Sequence, residues 1–314
     1  MILYDTKNWS NTLIKIYLSF NRAYTTRILF RDIFYITLYT TALVVVDIEV
    51  FNNQIVINPL FFSLLGVILS LMLVFRLNSS YNKWWEGRQA WGSLINHSRT
   101  LAVNLNALLP AEAQQDRQYF AIQIANFATA LQSHLREAVN LEELEAWDEH
   151  YAKGLKKAGH VPLYIAQLIF EAVEERVKSG LFSEIDKLSL KTQIQGLIDC
   201  LGICERIKNT PIPFSHNSYI KTFILIYVLS LPFGIVSSLL YYTIPTVALI
   251  SYALVGVEVI SEEIEDPFGR QANDLPLIHL SNIIKNNVFE VLGGQYYVQN
   301  NSVEVDSKYI VIIH

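Results

Sequence analysis

The stretch NPLFFSLLGVILSLMLVFRLNSSYNKWWEGR, residues 58–88, decides the fold class. Its first part, up to Phe75, carries no charged residue, and the part that follows contains three basic residues and two adjacent tryptophans. A transmembrane helix needs about 20 mostly apolar residues, and Trp, Lys and Arg are enriched where such a helix leaves the hydrocarbon core. The stretch therefore predicts a membrane-spanning helix whose C-terminal end lies at an interface.

The composition of the whole chain agrees with a membrane protein. Of its 314 residues, 52% are hydrophobic and 17% charged, and the mean hydropathy is +0.28, whereas soluble domains carry about 25% charged residues. The net charge of -5 disfavours a nucleic-acid partner, because nucleic-acid binding relies on excess basic charge. Cys200 and Cys204 are too few and too irregularly spaced for a disulfide framework or a zinc ribbon, which predicts buried thiols.

Apolar windows long enough to span a bilayer occur in four places, grouped in two pairs. The first pair covers about 29–48 and 58–75, with a short polar connection between them. The second pair lies in the uncharged run between Lys221 and Glu258, with a turn near Pro245. The sequence thus predicts four transmembrane helices arranged as two hairpins in a lipid bilayer.

The positions of lysine and arginine orient these hairpins. The two hairpin tips, about 47–58 and 237–246, contain neither residue type. The opposite ends carry nine basic residues: Arg22, Arg27, Arg31, Arg76, Lys83, Arg88, Arg206, Lys208 and Lys221. Because cytoplasmic loops are enriched in Lys and Arg, we expect a multi-pass inner-membrane protein with both termini in the cytoplasm; a thylakoid or organelle membrane is the alternative.

The region between the hairpins is polar and has helical periodicity, as in AIQIANFATALQSHLREAV, residues 121–139. No strand-like alternation interrupts it, so we expect an all-α protein with a large cytosolic helical body. The predicted segments are a cytosolic N-terminal segment 1–28, hairpin one 29–77, a cytosolic helical region 78–212, hairpin two 213–263 and a cytosolic C-terminal segment 264–314.

Catalytic chemistry is not indicated by any motif. The chain has no GxSxG, HExxH, Walker A loop or GxGxxG after a strand. Its seven histidines are scattered without a pair at metal-ligand spacing, so they are interpreted as ordinary surface or core residues. We therefore expect no enzyme activity and no certain cofactor; a membrane-anchored helical scaffold or enzyme is the less favoured alternative.

Val67, Leu71 and Phe75 recur every four residues along the second apolar segment and form one stripe of its helix, the apolar stripe. The residues alone leave two interpretations open. The apolar stripe can pack against a neighbouring helix, or copies of it can line a pore as rings that gate by excluding water.

The segment ALVGVEVISEEIEDPFGRQANDLPL, residues 253–277, follows the last apolar window. Its acids Glu258, Glu262, Glu263 and Asp266 fall on neighbouring faces of a helix that ends at the following proline. Carboxylates followed by a glycine turn can hold calcium, or they can pair with arginines of the cytosolic region.

In TPIPF, residues 210–214, two prolines flank Ile212 and predict a break between a cytosolic helix and the third span. Three segments together resemble the bestrophin family of ion channels: TPIPF, FRLNSSYNKWWEGRQAWG after the second span and EEIEDPFGRQANDLPL after the fourth. The resemblance covers about residues 20–292.

The resemblance implies a homopentamer around one axial pore, in which the apolar stripe forms a hydrophobic neck and Ile212 a lower, cytosolic constriction. It places Trp84 and Trp85 near the inner membrane interface. Four basic residues would anchor the helix on the cytosolic side and raise the local anion concentration: Arg76, Lys83, Arg88 and Arg99.

The expected function is therefore an anion channel that conducts chloride. A monovalent cation channel for sodium or potassium is the alternative, since Asp47, Glu49 and the acids of 258–266 would attract cations if they faced the pore. Glu263, Asp266 and Asp274 match calcium-clasp positions of the family, which are acidic-rich in animal members. Because the chain reads RQAND after PFG, with an arginine in place of an acid, we expect calcium activation to be weak or lost.

Overall fold

The computed structural model describes residues 24–51, 57–136, 139–271 and 273–293, and these residues form helices and 3-10 turns without a β-strand. The all-α prediction is confirmed. Within the described ranges the helices are α1 (Tyr24–Glu49), α2 (Pro59–Leu108), α3 (Gln114–Arg136), α4 (Glu149–Lys157), α5 (Val161–Lys178), α6 (Glu184–Asn209), α7 (Phe214–Leu239), α8 (Thr243–Glu265) and α9 (Leu277–Leu292). The cytosolic placement predicted for the first 23 residues, and for those after 293, concerns residues outside the described ranges.

Helix α2 joins the two parts of the molecule. It has 50 residues and is therefore about 75 Å long at 1.5 Å per residue, more than twice the thickness of a hydrocarbon core. Asn58 caps its first turn by accepting a hydrogen bond from the Leu60 amide at 2.9 Å, and Pro59 occupies the first helical position. No further proline interrupts the helix, so the predicted border between residues 77 and 78 falls inside one continuous element.

In the part of the chain that the structure describes, three stretches are long and apolar enough to cross a membrane: Arg27–Glu49, Pro59–Leu108 and Phe214–Glu265. The third contains α7 and α8, which a short 3-10 turn separates at Leu240–Tyr242. Most residues in the apolar windows of these stretches are not buried within the chain. Such faces suit contact with lipid or with other subunits, because an isolated soluble protein rarely exposes apolar patches of this extent.

The apolar helices pack together through one face of α2. Phe62, Leu69 and Leu73 on that face are buried. They form a cluster with residues of α7 and α8: Ile220, Ile224, Tyr227, Val228, Leu231 and Val247. The helix-like spacing of the buried α2 positions explains why a single face of the helix makes these contacts.

The second half of α2, helices α3 to α6 and α9 share another core, and together they form the helical body. Trp91 and Leu101 of α2 are fully buried there. Cys200 and Cys204 are buried free thiols of α6, as predicted, and burial raises the pKa of Cys200 to about 11. Helix α9 packs on α2 and α3, so the chain returns to the helical body after its last apolar helix.

Candidate functional site: the junction between apolar helices and helical body

The junction consists of Arg76, Lys83, Ile212, Glu258 and Glu265, where α2 passes from the apolar helices into the helical body. The Arg76 side chain is fully buried. Its Nη2 lies 2.8 Å from Glu265 Oε2 and its Nε lies 3.6 Å from Glu258 Oε2. One buried guanidinium therefore joins α2 to two carboxylates of α8.

Glu265 also holds the segment that enters α7. Its Oε1 accepts a hydrogen bond from the Ile212 backbone N–H at 2.9 Å, and it lies 3.9 Å from Lys83 Nζ. Lys83 in turn donates to the backbone carbonyl of Thr210 at 3.2 Å. As predicted, the chain breaks here, since α6 ends at Asn209 and α7 begins after Pro213. The half-buried Ile212 is thus tied to both α2 and α8.

The WWEGR and DPFG motifs pack against each other. A Cβ atom at Gly87 would lie 3.1 Å from Phe268 Cε1 and 3.3 Å from Pro267 Cγ, closer than most such contacts, so the two motifs approach tightly at this glycine. Trp84 Nε1 donates to the Asn273 carbonyl at 3.1 Å, whereas the Trp85 side chain is exposed. The two motifs therefore form one contact between α2 and the loop after α8.

The apolar stripe is exposed on the surface formed by the described residues. Val67, Leu71 and Phe75 are 69%, 57% and 60% exposed. They lie roughly opposite the buried face that contains Leu69 and Leu73, as the helical repeat requires. Of the two interpretations left open by the sequence, packing against a neighbouring helix of the same chain is not what the described residues show.

The four basic residues expected as cytosolic anchors occupy different surroundings. Arg76 departs from the expectation of a charge that attracts anions, because it is buried and two carboxylates neutralise it. Lys83 is half-buried beside Glu265. Arg88 is half-buried and Arg99 exposed on the helical body.

The three calcium-clasp positions meet at one cleft, the acidic cleft, which has a volume of about 300 Å³ and is lined by Glu262, Glu263, Asp266, Arg270 and Asp274 among others. Asp274 is buried, and its Oδ2 accepts the Gln271 backbone N–H at 2.6 Å. Burial, together with the charges of Asp266 and Glu263, raises the pKa of Asp274 to about 6. The hydrogen bond from Gln271 and the charge of Arg136 lower this pKa and oppose part of the rise.

The acidic cleft is a poor fit for calcium, which takes about 6–8 oxygen ligands. Asp266 Oδ2 is paired with Lys208 Nζ at 2.8 Å, and Glu262 is paired with Lys221 at 2.8 Å. Arg270 adds a third cationic side chain to the surroundings of the cleft. The sequence left two roles open for the acids of residues 258–266, calcium binding and pairing with arginines. In the structure Asp266 and Glu262 form ion pairs, and their partners are lysines instead of the expected arginines.

Two features were missed in the sequence. Glu265 was not singled out, although an acid in the last turn before Asp266–Pro267 is visible in the motif. The meeting of two histidines was not predicted either: His134 and His160, which are far apart in the sequence, both contact Glu205. No local spacing reveals that meeting, since the three residues lie on different elements.

Comparison with known proteins identifies the family. A sequence model of the family described as Bacterial/Fungal Bestrophin protein matches residues 5–290. A protein of Nostoc sp. strain PCC 7120 named voltage-dependent anion channel-forming protein is 36% identical over 230 residues, 71% of this chain and 74% of that protein. The protein YneE of Escherichia coli K12, which carries the same descriptive name, is 33% identical over 252 residues, 79% of this chain and 78% of that protein.

The fold is also that of solved structures. A crystal structure of a variant of a bacterial bestrophin homologue from Klebsiella pneumoniae matches with a TM-score of 0.80 at 28% identity, covering 85% of this chain and 100% of that chain. A second variant of the same homologue matches with a TM-score of 0.79 at 27% identity over 85% of this chain and 99% of that chain. With the family model, the relatives and the structures in agreement, this chain belongs to the bacterial and fungal bestrophin family.

Proposed function

We propose that the chain is a pore-forming subunit of an anion channel, in which the apolar stripe forms the neck. The names of the relatives from Nostoc and Escherichia coli support anion conduction, and membership of this family sets aside the scaffold and enzyme alternatives. The observation that carries the proposal is the apolar stripe itself, which is exposed on the side of α2 opposite its packed face. Such a stripe can form apolar rings when several copies of α2 surround an axis.

Four membrane spans are supported by a contact between the two hairpin tips. Tyr241 Oη donates to Glu49 Oε1 at 2.7 Å and ties the end of α1 to the turn between α7 and α8. Both hairpin tips then lie on one side of the membrane, and the basic residues with the helical body lie on the other. The proposed topology has both termini in the cytoplasm and the chain in the inner membrane of a bacterium.

A homopentamer is the proposed assembly. A closed ring with rotational symmetry needs only one pore-lining helix from each subunit, and α2 offers one unpartnered stripe. In this arrangement Val67, Leu71 and Phe75 make three successive apolar rings, and Ile212 lines a lower constriction held by Glu265.

Anions are favoured over sodium or potassium because the acids that would attract cations are either buried within the chain or in contact with a hydrogen-bond donor or a cationic side chain. Asp47 is buried, Glu49 accepts the hydrogen bond from Tyr241, and Glu258 lies against Arg76. Glu265 is shared between Arg76 and Lys83. These contacts leave the junction without an uncompensated ring of carboxylates.

The channel is proposed to open without calcium, because lysines already pair with Asp266 and Glu262 at the acidic cleft. We expect the open probability of single channels to be unchanged between a calcium chelator and micromolar calcium. A steep rise of open probability with calcium would contradict this part of the proposal.

The neck is tested by single-channel recording of Phe75→Ala beside Phe34→Ala. Phe34 lies on α1, away from the apolar stripe, and is 64% exposed, which makes it a matched control. Removal of the Phe75 rings widens the narrow apolar segment, so we expect larger or more frequent openings from Phe75→Ala and wild-type currents from Phe34→Ala. Equal currents from both variants would refute the neck, and a monomeric mass in detergent would refute the channel.

A further inference from the structure

Two histidines and a glutamate of the helical body form a cluster that the channel does not use, the His–His–Glu cluster. His134 lies in the last turn of α3, His160 is the N-cap residue of α5 and Glu205 lies near the end of α6. The Nε2 atoms of His134 and His160 lie 2.7 and 2.6 Å from the same atom, Glu205 Oε1. Three separate helices thus bring their side chains to one point.

The arrangement has the dimensions of a metal site. One ligand atom from each residue lies within 4.8 Å of the other two, and the ring centroids of the two histidines are 4.7 Å apart. Among the described residues, this is the group of His, Cys, Asp and Glu side chains found at such distances. The side chains are 31%, 35% and 28% exposed, so an ion can reach them from solvent without unfolding of the helical body.

The donor set selects the class of ion. Two imidazoles and one carboxylate are a ligand set of zinc sites with an open fourth position for water. Imidazole nitrogen suits zinc, copper, nickel and iron, whereas calcium and magnesium prefer oxygen ligands throughout. We propose that His134, His160 and Glu205 bind one divalent transition-metal ion of the Zn²⁺ class per subunit.

Binding of the ion requires a change of tautomer at His160. Its Nδ1 accepts the Leu163 backbone N–H at 3.3 Å and so carries no proton, which leaves the proton of the neutral ring on Nε2, facing Glu205. When the ion takes Nε2, that proton moves to Nδ1 and the Leu163 N–H loses its acceptor. The proton stays on the ring, and the first turn of α5 gives up its histidine cap.

The consequence for the fold is a stronger link between helices that, without the ion, are joined at this point by the contacts of the two histidines with Glu205. The ion would join α3, α5 and α6 close to the end of α6, whose last turn contains Lys208 and after which the chain runs to Ile212. Because metal bound only to the folded state adds its binding free energy to stability, bound zinc raises the temperature at which the helical body unfolds.

The test uses the untagged full chain, purified in detergent and stripped with a chelator. Zinc is added in a calorimeter, and Co²⁺ in a spectrophotometer, where a four-coordinate site gives visible absorption bands that zinc then abolishes. We expect one ion per chain and a higher unfolding temperature with zinc. The variants are His134→Ala, His160→Ala and Glu205→Gln, with His279→Ala, an exposed histidine of α9, as the matched control.

Each variant of the His–His–Glu cluster should weaken zinc binding by more than about 100-fold. Loss of a residue that only hydrogen-bonds to a metal ligand already lowers metal affinity about 10–100-fold, and loss of the ligand itself should lower it further. His279→Ala should bind as the wild type does. Unfolding temperatures of all variants in chelator identify any that fail to fold, and Glu205→Gln preserves the shape of the site. The proposal would be overturned if the cluster variants bound zinc with wild-type affinity, or if the wild-type chain bound less than one zinc ion. Either result is independent of whether the protein conducts ions.

Discussion

Replacement of Arg76 by methionine tests the buried ion pairs of the junction. The guanidinium is fully buried, and Glu258, at 4% exposure, has no hydrogen-bond partner for either carboxylate oxygen among the described residues, so the charge of Arg76 is its nearest compensation. Removal of one partner of a buried ion pair costs about 3–5 kcal/mol because the other charge stays buried. At about 2–3 °C per kcal/mol for a protein of this size class, Arg76→Met should lower the unfolding temperature by about 6–15 °C.

The assay is thermal unfolding of the detergent-solubilised protein, followed by circular dichroism at fixed protein and detergent concentrations. The double variant Arg76→Met, Glu258→Gln removes the stranded carboxylate charge together with its partner, and should be more stable than Arg76→Met alone. Arg99→Met serves as the control, because Arg99 is exposed on the helical body. An Arg76→Met protein that unfolds at the wild-type temperature, or a double variant less stable than the single one, would refute the buried-pair reasoning.

Two further predictions concern the loop after α8. Gly87→Val places side-chain atoms against Phe268 and Pro267, so a loss of about 1–3 kcal/mol from overpacking should appear in the same unfolding assay; Gly202→Val, which meets nothing within 4 Å, should cost no stability. For Asp274 the pKa near 6 lies above its ordinary value of 3.8, so the folded state binds the proton more tightly and is stabilised as pH falls through 6. Asp274→Asn should therefore be more stable than the wild type by about 3 kcal/mol near pH 8, with the difference shrinking as pH falls from 6 towards 4. A constant difference across that range would contradict the titration of Asp274.

Local patterns predicted the elements of the fold, and long-range contacts account for what they did not predict. The break at Pro211 and Pro213 and the end of α8 before Pro267 follow from the chemistry of proline and could be predicted from the sequence. The burial of Arg76 could not, because its partner Glu265 is 189 positions away. A basic residue at the end of an apolar run has the same local pattern whether it faces lipid headgroups or a buried carboxylate.

The same limit applies to the candidate sites. The apolar stripe is a periodic feature, so its position on α2 was predictable, and its exposure is added by the structure. The His–His–Glu cluster joins the end of α3, the start of α5 and the end of α6, and no periodicity connects those positions. The continuity of α2 through residues 77 and 78 escaped prediction because the change from apolar to polar composition marks a change of surroundings, which an unbroken helix crosses without a boundary.

The central claim, that this chain forms an anion-conducting pore, is tested most directly by the reversal potential of the purified protein in a planar bilayer under a KCl gradient. The account predicts a reversal close to the chloride equilibrium potential. A reversal close to the potassium equilibrium potential would contradict it and would identify a cation channel, and the absence of any current from well-folded protein would contradict pore formation itself.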